Sequence, residues 1–329
     1  MDNLTRQKQI LLFIFIFAVF VSVYMHVNRP SAVVPKPMSL STTTTPSPVK
    51  KPNWILVLYV WADTDVQSLG NLQFFVQHGV RATQPVDYYF ILQNMDNKPV
   101  NESRLPPLPS NARYIQHENK CMDIGTMGWF MSQNITNTTA YKYFFFMNSS
   151  IRGPFYPPYF ETLAVQWFEI FISRLTDEIK LVGPSINCEQ KPHVQSYIMA
   201  TDQVGLGLLR GNQSTIFRCH ANYHDAVFDG EIAASQLLLH ANYQIASLQS
   251  KYQGWDFRKP ENGGCNYGAS PIYRDKAIDE INHDPFELVF VKFKGNPPFD
   301  TEIERRALVY QKWLDERPRP PGWNSTKIA

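Results

Sequence analysis

The chain has 329 residues and a net charge of +2, with 44% hydrophobic and 14% aromatic residues. So even a charge balance excludes nucleic acid and any strongly charged partner as the obvious target.

Residues 1–9 read as a cytosolic tail. Residues 10–27 form an 18-residue apolar run without Asp, Glu, Lys or Arg. That is close to the ~20 residues that span a bilayer as a helix. The run is too long for the usual apolar core of a cleaved signal, and no small-x-small cleavage site follows at once. Arg6 and Lys8 precede it against Asp2 alone, so the rest of the chain is expected on the far side of the membrane. Residues 28–53 are rich in Pro, Ser and Thr and cannot bury enough apolar surface to offset their ordering entropy. They read as a flexible stem open to O-glycosylation. Residues 54–299 are expected to fold as one luminal domain, and residues 300–329 as a C-terminal helix and tail.

Asn-x-Ser/Thr sequons stand at Asn101, Asn134, Asn137, Asn148, Asn212 and Asn324. Each alone is a weak signal; together with the anchor they fit a secretory lumen. Cys121, Cys188, Cys219 and Cys265 lie on the same side and allow two disulfides in any of three pairings. They form no CxxC pair, which speaks against zinc.

The domain opens with the buried-strand run WILVLYVWAD. A helix ending near Gly79 follows, then strands DYYFILQN and ARYIQHEN. A turn and helix over MDIGTMGWFMSQ lead to strand YKYFFFMNSS. A helix over LAVQWFEIFISRL and a strand IKLVGPSI complete the alternation. Strand and helix in alternation imply an α/β domain whose mostly parallel sheet is flanked by helices. In such sheets ligands gather at the carboxyl ends of strands, near a topological switch. No internal repeat, GxxxxGK[ST], GxGxxG or GxSxG is present.

The ordered set NLQFFVQHGV, MDIGTMGWF, YFFFMNSSIRGPF, KLVGPSINC, HVQSYIMATD, GEIAASQLLLHANYQIASL and ELVFVK resembles a eukaryotic glycosyltransferase-like family, distantly similar to rhamnan synthesis protein F. The resemblance spans residues 54–294 and implies a GT-A-like (Rossmann-like) fold that binds a nucleotide sugar.

Such an enzyme must hold a nucleotide diphosphate, neutralise the leaving phosphate and, if inverting, deprotonate an acceptor hydroxyl. Asn148, Ser149 and Ser150 stand at a strand end where GT-A enzymes often carry Asp-x-Asp. Their neutral oxygens would hold Mg²⁺ or Mn²⁺ poorly, which puts a divalent cation in doubt. Arg152 is expected to meet phosphate directly; the bland alternative for this stretch is a tight turn. Asp63 and Asp65 spell a literal DxD, but after the first strand, and read as a nucleotide-site or loop signal. Asp123 is a helix N-cap or a donor contact, with Gly125 allowing a ligand close to the backbone. His193 and Gln195 alternate on a strand-like segment and are candidates for acceptor or sugar binding; a structural histidine is the alternative. Ala234, Leu237, Leu238 and Ala241 recur at helical spacing and put Glu231 in the first turn of that helix. Glu231 or Asp229 is the expected base, unless either only favours the helix dipole. Lys292 is a further candidate for phosphate.

The expected function is transfer of a hexosyl or deoxyhexosyl group from a nucleotide-diphosphate donor to a glycan or glycoprotein hydroxyl, with inversion. The expected setting is a single-pass type II protein of the Golgi or ER membrane. The rival is a luminal module on a degenerate transferase fold that only binds glycans.

Overall fold

The computed structural model describes residues 54–96, 98–160, 163–268, 282–295 and 301–316. The chain divides into two units, Met1–Lys50 and Lys51–Ala329, and every described residue belongs to the second. The expected cytosolic tail, membrane anchor and stem, and the tail after Glu316, lie outside the described residues. Among the described residues no helix is long and apolar enough to cross a membrane.

The fold is built on β1 (Ile55–Ala62), whose eight residues are all buried. Side chains along a strand point to alternate faces. Ile55, Val57, Tyr59 and Trp61 therefore enter one core cluster, and Leu56, Leu58 and Val60 another. A strand buried on both faces needs layers above and below. The first layer is α1 (Ser68–Gly79) and α3 (Trp167–Ile172). The second is α2 (Met122–Ser132), α4 (Gln203–Leu209) and a long helical run, α5. α5 consists of an α turn Tyr223–Asp225, a π segment Ala226–Ile232 and an α-helix Ala233–His240.

The sheet has seven strands. β1 is flanked by β2 (Val86–Asn94) and β4 (Tyr143–Asn148), both parallel to it, and β3 (Ala112–Glu118) lies parallel outside β2. On the other side β9 (Ile198–Asp202) runs antiparallel between β4 and β6 (Ile179–Gly183), and β10 (Gln244–Ser247) closes the edge parallel to β6. Two small ribbons sit beyond the sheet. β5 (Ile151–Arg152) pairs with β11 (Val291–Lys292), and β7 (Ile186–Asn187) with β8 (His193–Val194). Between β8 and β11 stands the single turn α6 (Pro285–Leu288). The last described helix, α7 (Glu302–Glu316), buries Ile303 and Ala307 in the first cluster.

Two elements differ from the sequence expectation. The helix expected over residues 163–175 is only α3, six residues long. Ala164 takes a left-handed φ of 53° and Gln166 an extended one, and the Glu169 side chain caps Gln166 N at 2.8 Å. The chain enters its helix only after that capping box. The helix carrying Glu231 begins at Tyr223, where the Asn222 side chain caps Asp225 N at 3.0 Å. Glu231 is therefore deep in a helical run and not in its first turn.

Both disulfides form, Cys121–Cys219 and Cys188–Cys265. The first holds the start of α2 against the loop 216–220. A Cβ on Gly125 would lie 2.5 Å from the Arg218 carbonyl oxygen, and one on Gly128 2.0 Å from that of Phe217. The close approach that Gly125 permits is thus by the chain's own loop and not by a ligand. Gly128→Ala is expected to destabilise the fold by about 1–3 kcal/mol through overpacking. A urea midpoint unchanged from the parent would show that the loop yields freely.

His283 is buried against Gln249. Gln249 receives Ile186 N on its Oε1 at 2.7 Å, so its amide NH₂ faces His283 Nε2 at 3.2 Å. That ring nitrogen must then accept, which only the neutral imidazole can do. Burial pushes the His283 pKa down to about 3. The unfolded chain takes this proton near pH 6.5 and the folded chain does not, so stability falls as pH drops from about 6.5 towards 3. By pH 5 this loss is about 2 kcal/mol. Urea midpoints at pH 7 and 5 measure it, and His283→Gln is expected to narrow the gap.

Candidate active site

The chain leaves β1 for β2 and β3 on one side, then crosses to β4 on the other. The carboxyl ends of β1 and β4 therefore bound a topological switch point, the place where open α/β sheets bind ligands. Asn148 ends β4 there, paired across from Val60.

Asn148 is held on every side. Its Nδ2 donates to Asp123 Oδ2 at 2.6 Å. Its Oδ1 accepts from Ser150 N at 3.1 Å and Ser150 Oγ at 2.5 Å. This is a turn closed by an asparagine side chain, and it aims the amide at α2. The sequon nitrogen is thereby engaged and half-buried, whereas Asn101, Asn134, Asn137 and Asn212 are exposed. Asp123 is not the N-cap of α2; Cys121 is. Asp123 stands in the first turn, with Oδ1 accepting from Ile124 N at 2.9 Å. Ser149 contributes its carbonyl to Asn71 at 2.9 Å.

Glu231 approaches from α5. Ser196 N donates to its Oε2 at 2.6 Å, and the Ser196 hydroxyl makes a second bond to the same oxygen. Its Oε1 faces His193 Nε2 at 3.4 Å. His193 Nδ1 lies 2.7 Å from the Lys191 carbonyl oxygen, which can only accept. Nδ1 therefore carries a hydrogen and Nε2 is the nitrogen turned to the carboxylate. Burial raises the Glu231 pKa, but bonds from His193 and Ser196 outweigh it and leave the carboxyl below its usual range. What keeps this carboxylate charged is its partners and not a helix N-terminus. A π segment inside an α-helix shifts the register of the side chains beyond it, and Glu231 sits in one.

Tyr197 floors the cluster. Ser185 Oγ donates to Gln195 Oε1 at 2.7 Å, so the Tyr197 hydroxyl, 2.6 Å away, must donate to Ser185. Gln195 is spent in this buried chain and is not beside Glu231; Ser196, one residue on, takes that place. Tyr197 O accepts from Asn148 N at 3.3 Å, which ties the floor to the end of β4.

Lys292 lies above it. Its Nζ is 5.7 Å from the centre of the Tyr197 ring. Its backbone pairs with Ile151, and Phe293 N donates to Ser150 O at 2.8 Å. Burial lowers the Lys292 pKa, with Glu231 and Asp123 pulling it back up and Lys294 adding to the fall. One ammonium thus feels both carboxylates of the cluster.

The structure does not bring Arg152 to this cluster. Its guanidinium is buried and donates to Asn71 at 3.0 Å, Gln311 at 2.9 Å and Gln67 at 3.3 Å, with Phe293 stacked 3.9 Å away. Burial lowers its pKa to about 10. The phosphate contact expected of Arg152 is replaced by a clasp between α1, β5 and α7. Gly153 beside it has φ 151° and meets the Val289 carbonyl, a place no side chain would fit. Asp229 is exposed, and its recorded bond is through its carbonyl to Thr215 Oγ1 at 3.2 Å. Asp65 closes a loop, accepting from Gln67 N and Gly295 N at 2.9 Å each. Asp63 lines a cavity of about 300 Å³ at the carboxyl ends of β1 and β2, with Trp61, Met95, Lys98 and Arg104.

A divalent metal does not fit this cluster. Mg²⁺ and Mn²⁺ take oxygen ligands, and the protein must offer at least one or two carboxylates free to turn to the ion. All four carboxylate oxygens of Asp123 and Glu231 already face the chain's own donor nitrogens or hydroxyls, and Asn148 turns its NH₂ inward. Among the described residues no group of three His, Cys, Asp or Glu side chains is arranged for a metal.

No protein-family model and no curated protein matches the chain. Among solved structures it is similar to the mannosyltransferase PcManGT from Pyrobaculum calidifontis in complex with GDP-Man and Mn²⁺. Identity is 8% over 70% of this chain and 61% of that one, with TM-score 0.35. It is also similar to the apo-form glycosyltransferase GlyE of Streptococcus pneumoniae TIGR4, with 10% identity over 60% and 45% of the two chains and TM-score 0.34. The chain spans less than two thirds of the length of either.

Proposed function

We propose that the chain is a glycosyltransferase that moves a sugar from a nucleotide-diphosphate donor to a hydroxyl of a glycan or glycoprotein, with inversion. The observation that carries this reading is an oriented carboxylate, Glu231, and a half-buried ammonium, Lys292, that feels its charge, both near the switch point of a mostly parallel sheet. The cavity beside Asp63 offers room for the nucleoside one strand away. Asp123 and Asn148, bonded to each other, border the site. In the reaction the acceptor oxygen bonds to the anomeric carbon and its proton passes to Glu231. The bond from that carbon to the phosphate oxygen breaks, and its electron pair leaves with the diphosphate. Ser196 and His193 orient the carboxylate, and Tyr197 supports the floor.

We also propose that the chain is a type II membrane protein of the Golgi or ER with this domain in the lumen. Two disulfides that use all four cysteines suit an oxidising lumen, and the apolar run 10–27 suits an anchor.

A thermal-shift series on the full chain in detergent, against nucleoside diphosphates and nucleotide sugars, tests the reading. A ligand at 100 times its Kd adds about 2.7 kcal/mol of stability. A selective rise with one nucleotide class supports the transferase. A rise with glycans and with no nucleotide would replace it by a glycan-binding module.

A further inference from the structure

We infer that the Lys292 ammonium is the cation that holds the donor's diphosphate, so that this site works without a divalent metal. The inference rests on the transferase reading and concerns how its leaving group is neutralised. The strap that carries Lys292 is rigidly set. Val291 and Phe293 are buried to about 1% exposure and anchor it in the core. Alternation along the strand then turns Lys292 and Lys294 to the opposite side. β5 fixes one edge of the strap, and the Phe293–Ser150 bond fixes its register against the Asn148 turn.

Lys292 Nζ contacts the face of Tyr197 and makes no hydrogen bond to the described residues. Three N–H donors are therefore open on an ammonium at the switch point. Burial lowers its pKa, and Asp123 and Glu231 act against that fall. Those carboxylates are meanwhile spent on Ile124, Asn148, Ser196 and His193. The carboxylates of the cluster are thus engaged by the chain itself, and the Lys292 ammonium is the donor left to meet a phosphate. As the bond from sugar to phosphate breaks, charge grows on the leaving oxygen. A preorganised ammonium in a site sheltered from water stabilises that charge where it develops. Exposed Lys294, two residues on, adds positive charge nearby.

The test measures binding of UDP, GDP, CDP and TDP to the full chain by calorimetry, in EDTA and in Mn²⁺, for the parent, Lys292→Gln and Lys292→Arg. The expected result is one diphosphate bound equally with and without metal. Lys292→Gln should then bind about 10- to 100-fold more weakly, the worth of one or two charge-assisted bonds, and Lys292→Arg should recover part of the loss. Binding that requires Mn²⁺ and ignores Lys292→Gln would overturn the inference and leave the transferase reading standing. Absence of binding by all four diphosphates in both conditions would overturn both. The comparison of EDTA with Mn²⁺ on the parent protein needs no variant, so a misfolded Lys292→Gln does not protect the inference.

Discussion

Glu231→Gln is expected to lower turnover by about 10²- to 10⁴-fold, the usual worth of a positioned general base, while donor affinity stays within about twofold of the parent. Glutamine is a close fit here. Its carbonyl accepts the two Ser196 bonds that Oε2 now accepts. Its NH₂ then faces His193 Nε2, whose lone pair is free once Nδ1–H is given to Lys191. Both contacts of the side chain are kept, so the variant should fold with an unchanged melting temperature at pH 7. A fall in turnover then reports lost proton acceptance and not lost structure. Parallel kinetics and nucleotide titration on the two proteins decide it. Unchanged turnover in Glu231→Gln, with loss in Asp229→Asn, would move the base to the exposed carboxylate two residues earlier.

The sheet was the most legible part of the molecule. β1, β2 and β4 are buried runs, and such runs announce themselves through continuous apolar and β-branched or aromatic residues. The polar ends of β2 and β4 also followed, because a strand that leaves the core must end in turn-forming groups. Helix starts were harder. The capping box at Gln166 and the N-cap at Asn222 are both written in the sequence, but the apolar spacing of the later turns is the stronger periodic signal. The π segment has no period that a 3.6-residue pattern detects.

Site residues divide along the same line. The Asn148 turn is local, and its Asn-x-Ser spacing is visible. The meeting of Asp123 with Asn148, Glu231 with Ser196 and both carboxylates with Lys292 is long-range and depends on how β11 and α5 are laid across the sheet. Arg152 shows the opposite failure. It stands next to the polar turn in sequence, yet strand alternation sends it into a pocket of neutral amides from α1 and α7. Ser196 had a usable signal in its position beside His193, but nothing local tied it to a glutamate 35 residues away.

Loss of the Cys121–Cys219 bridge is expected to strike stability and the site together. The bridge closes 98 residues of chain, and the chain-entropy account assigns a loop of that size about 4.7 kcal/mol. Most of that is freedom withheld from the unfolded chain. The native state should suffer as well, because Cys121 and Met122 both hold left-handed backbone, at φ 71° and 55°. The bridge and the packing of loop 216–220 on Gly125 and Gly128 help to keep them there, beside the bonds from Thr126 to the Lys120 and Met122 carbonyls. Asp123 follows directly, so release of Cys121 loosens the carboxylate that anchors Asn148. The Cys121→Ser/Cys219→Ser pair is therefore expected to lose several kcal/mol by urea unfolding and also to weaken donor binding. Cys188→Ser/Cys265→Ser provides the contrast. It opens a loop of 77 residues, so its entropic loss is similar, but its bridge lies by β7 and away from Asp123. Equal loss of donor affinity in the two double variants, measured below their melting temperatures, would show that the first bridge acts through stability alone and does not hold Asp123 in place.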